Sequence, residues 1–241
     1  YSARNIASAR FGVAYTIHAV EGFSHSANTG HLEVKAGVHG AFNAYNITAA
    51  IIAVSRMTGI SAREVCEKCT GLTSVKGRMT VVDEEQPFEV IVDYAHTPSS
   101  FETIFPPIKN RCVGKMICVF GSGGERDRVK RPLQGEIAAK FCDTVILTDE
   151  DPRQEDSMAI LEEIAVGALK NDSMRKGENL LLISDRKEAI RKAFSLAQKN
   201  DIVLLLGKGH ENSIIFKDRV MPYDEINEAK AALNEMGYKR G

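Results

Sequence analysis

The sequence predicts an α/β fold in which a mostly parallel β-sheet is covered by helices on both faces. From Phe88 onward, short β-branched runs alternate with amphipathic stretches, which is the pattern of strands joined by crossover helices. The runs are apolar at nearly every position, as expected for strands buried on both faces. The chain has 241 residues, of which 44% are hydrophobic, so it can form one large core and a smaller second one.

Five runs in this part of the chain are predicted strands, and the stretches between them are predicted helices. The strands are FEVIVDY, KMICVF, TVILTD, LLLISD and DIVLLLG, and the helices are PSSFETIFPPIKN, RPLQGEIAAKF, an acidic stretch from Asp156 to Leu169, and DRKEAIRKAFSLAQ. In the last of these, Asp185 and Glu188 have the spacing of a capping box. The chain is expected to end in a hairpin, SIIFKDRVMP, and a helix from about Tyr223 to Met236.

The first third of the chain reads differently. It opens with short polar β-like stretches and no recognisable start to a domain, so it looks cut from something longer. Asn43 and Asn46 are expected to precede an apolar helix, Ile47 to Met57, that Gly59 closes. A second helix, from Ser61 to near Gly71, begins with capping-box spacing to Glu64.

Composition excludes several classes of function. Lys and Arg number 31 and Asp and Glu 32, a formal net charge of -1, so nucleic acid and anionic membranes are not expected partners. No apolar run approaches the roughly 20 residues of a membrane helix, and no signal pattern opens the chain. We therefore expect a soluble, cytoplasmic protein. The five cysteines are an odd number scattered through apolar segments and are expected to be reduced thiols, with Cys66 and Cys69 a structural helical pair rather than a redox or zinc motif.

Unusual polar residues gather in four loops that follow predicted strands. The carboxyl ends of parallel strands meet at one edge of a sheet, where ligands bind and helix N-termini point. We therefore expect the ligand site at this edge. The loops are DYAHTP (93–98), GSGGERDRVKRP (121–132), TDEDPR (148–153) and GKGHE (207–211).

The glycine-rich loop is suited to an anion. Its glycines let backbone N–H groups approach a ligand, and its four cations can pair with carboxylate or phosphate. Arg126 with Arg153 is best explained by a ligand that carries carboxylates. The glycine spacing is not that of a dinucleotide loop, so a nicotinamide site is disfavoured. The four cations are Arg126, Arg128, Lys130 and Arg131.

The other two loops allow both structural and functional interpretations. GKGHE follows a buried strand, where packing requires none of its charges, and Glu211 could pair with a ligand ammonium; its Gly-Lys-Gly is only a weak phosphate signal. Asp93 and His96 either cap the strand end or face a nucleotide. His210 is as readily a packed histidine as a functional one.

Taken in order, these motifs resemble the Mur ligases, and most closely the type that adds the third residue of the peptidoglycan stem peptide (MurE type). That family has a UDP-binding domain, a central P-loop ATPase domain and a C-terminal Rossmann-like domain. The resemblance implies that 1–76 is the C-terminal part of the ATPase domain, a partial α/β segment, and that 77–241 is the amino-acid-binding domain. The motifs, which lie across about four fifths of the chain, are HGAFNAYN, KGRM (76–79), VDYAHTP, VFGSGGERDRVKRP, LTDEDPR and LLLGKGHE.

The resemblance implies an ATP-dependent, Mg²⁺-requiring ligase of peptidoglycan synthesis, and through it roles in cell wall biogenesis, cell shape and cell division. Its substrates would be UDP-MurNAc-L-Ala-D-Glu and a diamino acid, joined through an acyl phosphate by a monomer. Residues implied to bind ATP are Asn43, Asn46, Arg78, Asp93 and His96. Residues implied to bind the amino acid are Arg126, Glu150, Asp151, Pro152, Arg153, Gly207 and Glu211.

The family's P-loop, metal-binding residues and carbamylated lysine would lie before Tyr1. The resemblance therefore implies no catalytic residue and no metal ligand in this chain, and no ligation by this chain alone. The family's D-N-P-R signature reads Glu150-Asp151-Pro152-Arg153 here. Arg153 favours meso-diaminopimelate, whereas the extra acid at Asp151 keeps L-lysine open. A non-catalytic amino-acid- or peptide-binding module is the alternative function, and folylpolyglutamate synthetase is a rival within the superfamily.

Overall fold

The computed structural model describes residues 1–9, 12–18 and 31–240. The chain divides into two compact units, Tyr1–Val75 and Lys76–Gly241.

The first unit contains an antiparallel sheet and two helices. Strands β1 (Ser2–Ala9), β2 (Gly12–His18) and β3 (Leu32–Ala36) pair in the order β1-β2-β3. Helices α1 (Asn43–Thr58) and α2 (Ala62–Lys68) follow, and α2 continues as a 3-10 turn to Gly71. Alternate residues of β2 are buried because one face of the sheet packs against the helices.

The helix ends of this unit agree in part with the ends predicted from the sequence. Gly59 closes α1 at a φ of +73°, and Ser61 and Glu64 form the expected capping box. The prediction that Asn43 and Asn46 precede the helix is wrong, because α1 begins at Asn43 without a side-chain cap. Both asparagines lie in its first turn.

The cysteines behave as predicted. All five are free thiols. Cys66 and Cys69 are buried in the core of the first unit, and burial raises the pKa of both thiols, that of Cys66 to about 11. A thiol that stays protonated at neutral pH is a poor nucleophile and a poor metal ligand. The pair is therefore structural.

The second unit is built on a six-stranded sheet of order β4-β5-β9-β6-β7-β8. Its strands are β4 (Thr80–Val82), β5 (Glu89–Asp93), β6 (Met116–Phe120), β7 (Thr144–Leu147), β8 (Leu180–Leu182) and β9 (Ile202–Leu206). Five of them are parallel, and the edge strand β4 is antiparallel to β5. The predicted fold class is confirmed; the short strand β4 and the insertion of β9 between β5 and β6 are not visible in the sequence pattern.

Helices cover both faces of this sheet. Residues of α6 (Arg186–Leu196) and α7 (Glu225–Glu235) join alternate strand residues in one buried cluster. On the opposite face, Phe101 of α3 (Pro98–Arg111) lies edge-on to Phe120, with ring centroids 4.9 Å apart. Helices α4 (Lys130–Phe141) and α5 (Ser157–Ala168) pack against each other. The predicted hairpin is β10 (Ser213–Ile215) with β11 (Val220–Pro222).

Caps fix where the helices after the loops begin. Asp156, Asp185 and Asp224 each accept a backbone N–H at the start of α5, α6 and α7. Asp185 accepts the N–H of Glu188, which is one of the two bonds of the predicted capping box. Side-chain caps of this kind hold the loop ends in place at the edge where the site forms. No helix among the described residues is long and apolar enough to cross a membrane.

Candidate functional site

Four loops meet at the carboxyl edge of the parallel strands and surround one cavity. Strands β5, β9, β6 and β7 run parallel, so the loops that follow them emerge at the same edge. The cavity has a volume of about 290 Å³. Residues from all four loops line it: Tyr94, His96, Gly123, Arg126, Asp127, Lys130, Glu150, Asp151, Arg153 and Glu211.

The structure brings together most of the side chains predicted to bind an amino acid. Arg126, Arg153 and Glu211 line the same cavity, each from a different loop. Glu150 and Asp151 line it as well. The residues lie far apart in the chain, so the sheet topology produces their proximity.

Pro152 and Gly207, predicted with them, shape the wall from behind. Gly207 is buried with a φ of +100°, and a Cβ there would lie 2.9 Å from Oε2 of Glu150. A Cβ on Gly124 would lie 1.9 Å from the carbonyl oxygen of Pro152. Backbone without side chains is needed here because the loops approach so closely. A direct contact of Pro152 or Gly207 with a ligand stays a prediction.

Two of the four cations in the glycine-rich loop hold the loop itself. Arg131 is fully buried and donates to Glu155 at 2.8 and 2.9 Å, to Glu163 at 2.8 Å and to the Gly123 carbonyl at 3.1 Å. Bonds from Arg131 lower the pKa of Glu155 to about 2. Arg128 pairs with Glu163. The prediction that these two arginines serve a ligand anion is wrong, because carboxylates of the protein already occupy them.

The other two cations remain at the cavity. The exposed guanidinium of Arg126 makes no hydrogen bond or ion pair with the described part of the chain. Lys130 donates to the His96 carbonyl oxygen at 3.1 Å and lines the cavity wall. Both charges can therefore meet an anionic ligand without breaking an ion pair of the protein.

Arg153 adds a cation from the loop after β7. Its backbone has a φ of +53°, which costs about 1–3 kcal/mol for a residue with a Cβ, and its N–H donates to the Ile215 carbonyl at 3.0 Å. Its Nη2 lies 3.8 Å from Oδ2 of Asp151, and its Nε is buried without a hydrogen-bond partner. A buried donor without a partner needs an acceptor that the described chain does not supply, such as a ligand or an ordered water.

Glu150 presents the complementary group. Its Oε2 is buried and accepts no hydrogen bond. Burial raises the pKa of this carboxyl group, while the charges of Lys130 and His96 oppose the rise. An ammonium group in the cavity would supply the missing donor and favour the ionised carboxylate.

A buried lysine joins the two other acids of the cavity. Lys208 is fully buried, and its Nζ lies 2.9 Å from Oδ1 of Asp151 and 2.6 Å from Oε2 of Glu211. Asp151 Oδ1 also accepts the Ile215 N–H at 2.9 Å. The expectation that packing requires no charge in GKGHE is therefore wrong for Lys208. Glu211 already faces a cation of the protein.

Residues predicted to bind ATP surround Tyr94. The Arg78 guanidinium lies over the Tyr94 ring, 4.6 Å from its centroid, and the rings of His96 and His210 lie 4.7 and 4.9 Å from it. Arg78 is exposed, and its contact with an ATP phosphate stays a prediction. Asp93 is buried, and its two oxygens accept the N–H groups of Met79 and Ala95 at 2.7 and 2.8 Å.

Asp93 thus has a structural function in the turn before β4. Burial raises the pKa of its carboxyl group. In that turn, a Cβ on Gly77 would lie 2.0 Å from the backbone of Gly209. KGRM therefore packs against GKGHE. Binding of ATP by Asp93 stays a prediction.

In the first unit, Asn43 and Asn46 form one hydrogen-bonded pair. Asn43 is buried and donates to the His39 carbonyl at 2.5 Å, and Asn46 donates to Oδ1 of Asn43 at 2.9 Å. Asn46 itself is exposed. The bond to Asn43 holds the Asn46 side chain in place, and binding of a nucleotide by either asparagine stays a prediction.

A second buried ion pair lies behind the cavity. Arg186 and Glu225 are both fully buried, and two N–H groups of Arg186 donate to the carboxylate at 2.9 and 2.7 Å. The guanidinium also donates to the carbonyl oxygens of Asp149 and Leu206 at 3.0 and 2.7 Å. Arg186 therefore fixes the ends of β7 and β9, from which two of the four loops depart.

Sequence reasoning missed Lys208, Arg186 and the internal function of Arg131. A lysine between two glycines, directly after a fully apolar strand, was the one available signal, since a buried ammonium needs acidic partners. Nothing in the sequence near Arg186 indicates that it pairs with Glu225, and nothing near Arg131 indicates that it pairs with Glu155.

The fold and cavity define an α/β protein whose Rossmann-like unit has a cavity lined by both cationic and anionic side chains. The profile of the Mur ligase, glutamate ligase domain matches residues 77–209. This match covers more than half of the chain, and the chain therefore belongs to the Mur ligase family. The family resemblance inferred from the motifs is confirmed.

Individual relatives agree. The chain is 59% identical to a UDP-N-acetylmuramyl-tripeptide synthetase of Treponema denticola, over 80% of this chain and 36% of the relative. It is 42% identical to a UDP-N-acetylmuramoyl-L-alanyl-D-glutamate–2,6-diaminopimelate ligase of Caldanaerobacter subterraneus, over 84% of this chain and 41% of the relative. A solved structure of a ligase with that second name superposes with a TM-score of 0.64 at 29% identity, over 98% of this chain and 46% of that one. The chain spans less than half the length of these proteins.

Proposed function

We propose that this chain is the amino-acid-binding part of an ATP-dependent ligase of peptidoglycan synthesis. The ligase joins a diamino acid to UDP-MurNAc-L-Ala-D-Glu in the cytoplasm. Residues 1–76 would then be the end of a central ATPase domain and 77–241 the C-terminal domain. The observation that carries the proposal is the cavity, in which a buried Arg153 Nε and a buried Glu150 Oε2 both lack partners. An amino acid supplies both a carboxylate and an ammonium.

The proposed chemistry assigns this chain a positioning task. The D-glutamate carboxylate attacks the γ-phosphorus of ATP, ADP leaves, and an acyl phosphate forms. The neutral amine of the diamino acid then attacks the acyl carbon, and phosphate leaves as the amine loses a proton. The cavity would hold the amino acid by charges away from the attacking amine, because a fixed nucleophile avoids much of the entropic cost of the encounter.

Two side chains, one in each unit and each considered by itself, are suited to contact ATP. Arg78 offers a guanidinium stacked on Tyr94, suited to a phosphate, and Asn46 offers an exposed amide. Among the described residues no three or more acidic, His or Cys side chains are grouped to hold a metal ion.

We infer that the amino acid is meso-diaminopimelate, with L-lysine as the alternative. Diaminopimelate carries a second carboxylate, and the cavity offers three cations to carboxylates: Arg126, Lys130 and Arg153. The carboxylate of Asp151, which by its charge favours a bare ammonium, is already hydrogen-bonded to Lys208. The acid at Asp151 therefore argues for lysine less strongly than its charge alone suggests.

Calorimetry on the 241-residue chain tests this proposal. We expect meso-diaminopimelate to bind more tightly than L-lysine, and Arg153→Ala to weaken diaminopimelate by at least about tenfold while it changes lysine little, because only the former has a distal carboxylate. Arg191→Ala, which removes a surface arginine paired with Glu235, is the matched control and should change neither affinity. Equal losses for both ligands would refute the assignment of diaminopimelate, and no binding of either would refute the site.

A longer polypeptide that includes a P-loop separates a ligase from a binding module. Phosphate release that requires ATP, UDP-MurNAc-L-Ala-D-Glu and the diamino acid together is the result expected. Amino-acid binding without such release would favour the non-catalytic module.

A further inference from the structure

The GKGHE loop contains a charged residue, Lys208, that is not among the residues proposed to contact the ligand. Lys208 has no exposed surface, although lysine is among the residues least often buried. Its ammonium contacts Asp151 at 2.9 Å and Glu211 at 2.6 Å. A buried ammonium is tolerated only when such partners surround it. Because both partners line the cavity, the charge of Lys208 acts directly on whatever binds there.

Lys208 also connects the two loops that carry these acids. Asp151 follows β7 and Glu211 follows β9, and Lys208 is the cation that both carboxylates share. Asp151 in turn accepts the Ile215 N–H, and the Ile215 carbonyl accepts the Arg153 N–H. This series of hydrogen bonds therefore connects Lys208 to Arg153, whose backbone has a positive φ. Glu211 additionally accepts the Tyr94 hydroxyl at 3.4 Å.

The charge sum of this cluster bears on ligand choice. Asp151 and Glu211 contribute two negative charges and Lys208 one positive charge, so the three groups together carry minus one. Without Lys208 the cluster would carry minus two, and it would attract a ligand that ends in a bare ammonium. With Lys208, the four cations in and behind the cavity wall (Arg126, Lys130, Arg153 and Lys208) equal in formal charge the four acids that line it (Asp127, Glu150, Asp151 and Glu211). No excess negative charge then opposes a ligand that also ends in a carboxylate.

We propose that Lys208 is a specificity-determining residue that sets the cavity charge and thereby selects a diamino acid with a distal carboxylate over one without. The inference rests on the proposed function. Asp151 and Lys208 form a compensating pair, because the ammonium of Lys208 offsets the charge of Asp151 at 2.9 Å. Lys208 acts through charge and position, and touches the ligand only through its two acid partners.

The test measures the ratio of the two affinities, meso-diaminopimelate over L-lysine, by calorimetry on the 241-residue chain. Lys208→Met removes the charge but keeps the length of the side chain. It should lower this ratio by about tenfold or more, because a unit charge a few ångström from the ligand changes the binding energy of a charged group even at an effective dielectric constant of about 20. Asp151→Asn changes the cluster in the opposite direction and should raise the ratio. Lys170→Met, which removes a surface lysine paired with Glu136, is the matched control and should leave the ratio unchanged.

The double variant Lys208→Met/Asp151→Asn separates charge from structure. It leaves Glu211 as the only charge of the cluster, so the sum returns to minus one and the ratio should return toward that of the unmodified chain. A purely structural function of Lys208 predicts no such rescue. If Lys208→Met does not fold, as judged by circular dichroism, Asp151→Asn and the double variant still decide the question.

Each outcome bears on one of the two proposals. An unchanged ratio in Lys208→Met, or no rise in Asp151→Asn, overturns the inference about Lys208 and leaves the proposed function standing. Failure of the unmodified chain to bind either amino acid overturns the proposed function and this inference with it.

Discussion

Two groups of arginines lie at the same edge of the sheet and have opposite environments. Arg131 and Arg186 are fully buried, and carboxylates and carbonyl oxygens of the protein surround each guanidinium. Arg126 is exposed and has no partner in the described part of the chain, and Arg153 lies at the same cavity with one long ion pair, 3.8 Å, to Asp151. The first group holds the loops and the second faces the cavity. The same guanidinium group therefore either stabilises the loops or remains available to a ligand, depending on which acidic residues the fold places beside it.

This comparison predicts that substitutions at the buried ion pairs lower the free energy of unfolding much more than substitutions at the cavity. The largest loss is expected for Glu225→Gln, which leaves the fully buried Arg186 without a counter-charge. Removing one partner of a buried pair costs about 3–5 kcal/mol, and urea denaturation monitored by circular dichroism measures it. Glu228→Gln in the same helix breaks a pair with the partly exposed Lys187 and should cost under about 1 kcal/mol. Equal effects of the two variants would contradict the distinction.

An intermediate effect is expected for Glu155→Gln, with a characteristic pH dependence. Arg131 keeps its bonds to Glu163 and Gly123, so we expect a loss of about 2 kcal/mol at neutral pH.

The sign of that pH dependence follows from the lowered pKa. The pKa of Glu155 is about 2 in the folded chain and about 4.3 when unfolded, so its contribution is complete above the unfolded value and disappears as the pH falls toward 2. The difference between the unmodified chain and Glu155→Gln should therefore shrink across that window. The control is Glu162→Gln, whose pair with Lys176 is half exposed. A difference that stays constant down to pH 2 would show that the ion pair is not its source.

The smallest effect on stability is expected at the cavity. Arg126→Ala removes a guanidinium that contacts no acid of the described chain, so the free energy of unfolding should change by less than about 0.5 kcal/mol. The same variant should weaken diaminopimelate binding by at least about tenfold in calorimetry, since a charge-assisted hydrogen bond to the ligand is lost. Arg128→Ala, which breaks an exposed pair with Glu163, should cost under about 1 kcal/mol of stability and leave diaminopimelate binding unchanged. A large destabilisation by Arg126→Ala would contradict the assignment of Arg126 to the arginines that face the cavity.

Much of the fold could be predicted because local patterns are strong. The fully apolar runs that became β6 and β9 marked parallel strands, and Ser61 with Glu64 marked a helix start through a spacing that needs no tertiary contact. The start of α1 was predicted too late because Asn43 bonds to His39 and so does not cap the helix. The antiparallel β4 is only three residues long, too short for a periodicity to show.

The site could be predicted as a set of loops but not as a set of partners. Arg126, Arg153 and Glu211 were placed together because carboxyl ends of parallel strands share an edge, and all three line the cavity. Which cations would stay unpaired could not be predicted. Arg128 and Arg131 look as available in the sequence as Arg126 does, and only the position of α5 decides that Glu163 reaches them.

By itself the sequence determined the α/β class, the order of strands and helices in the second unit, the family, and the edge where ligand chemistry gathers. These depend on periodicity, caps and motifs, all of which act over a few residues. The tertiary structure alone decided that Lys208 joins Asp151 to Glu211, that Arg186 pairs with Glu225, and that Glu150 and Arg153 keep buried atoms without partners. The physical reason is that the energy of a charge depends on its burial and on its neighbours in space, and both are set by how the loops meet.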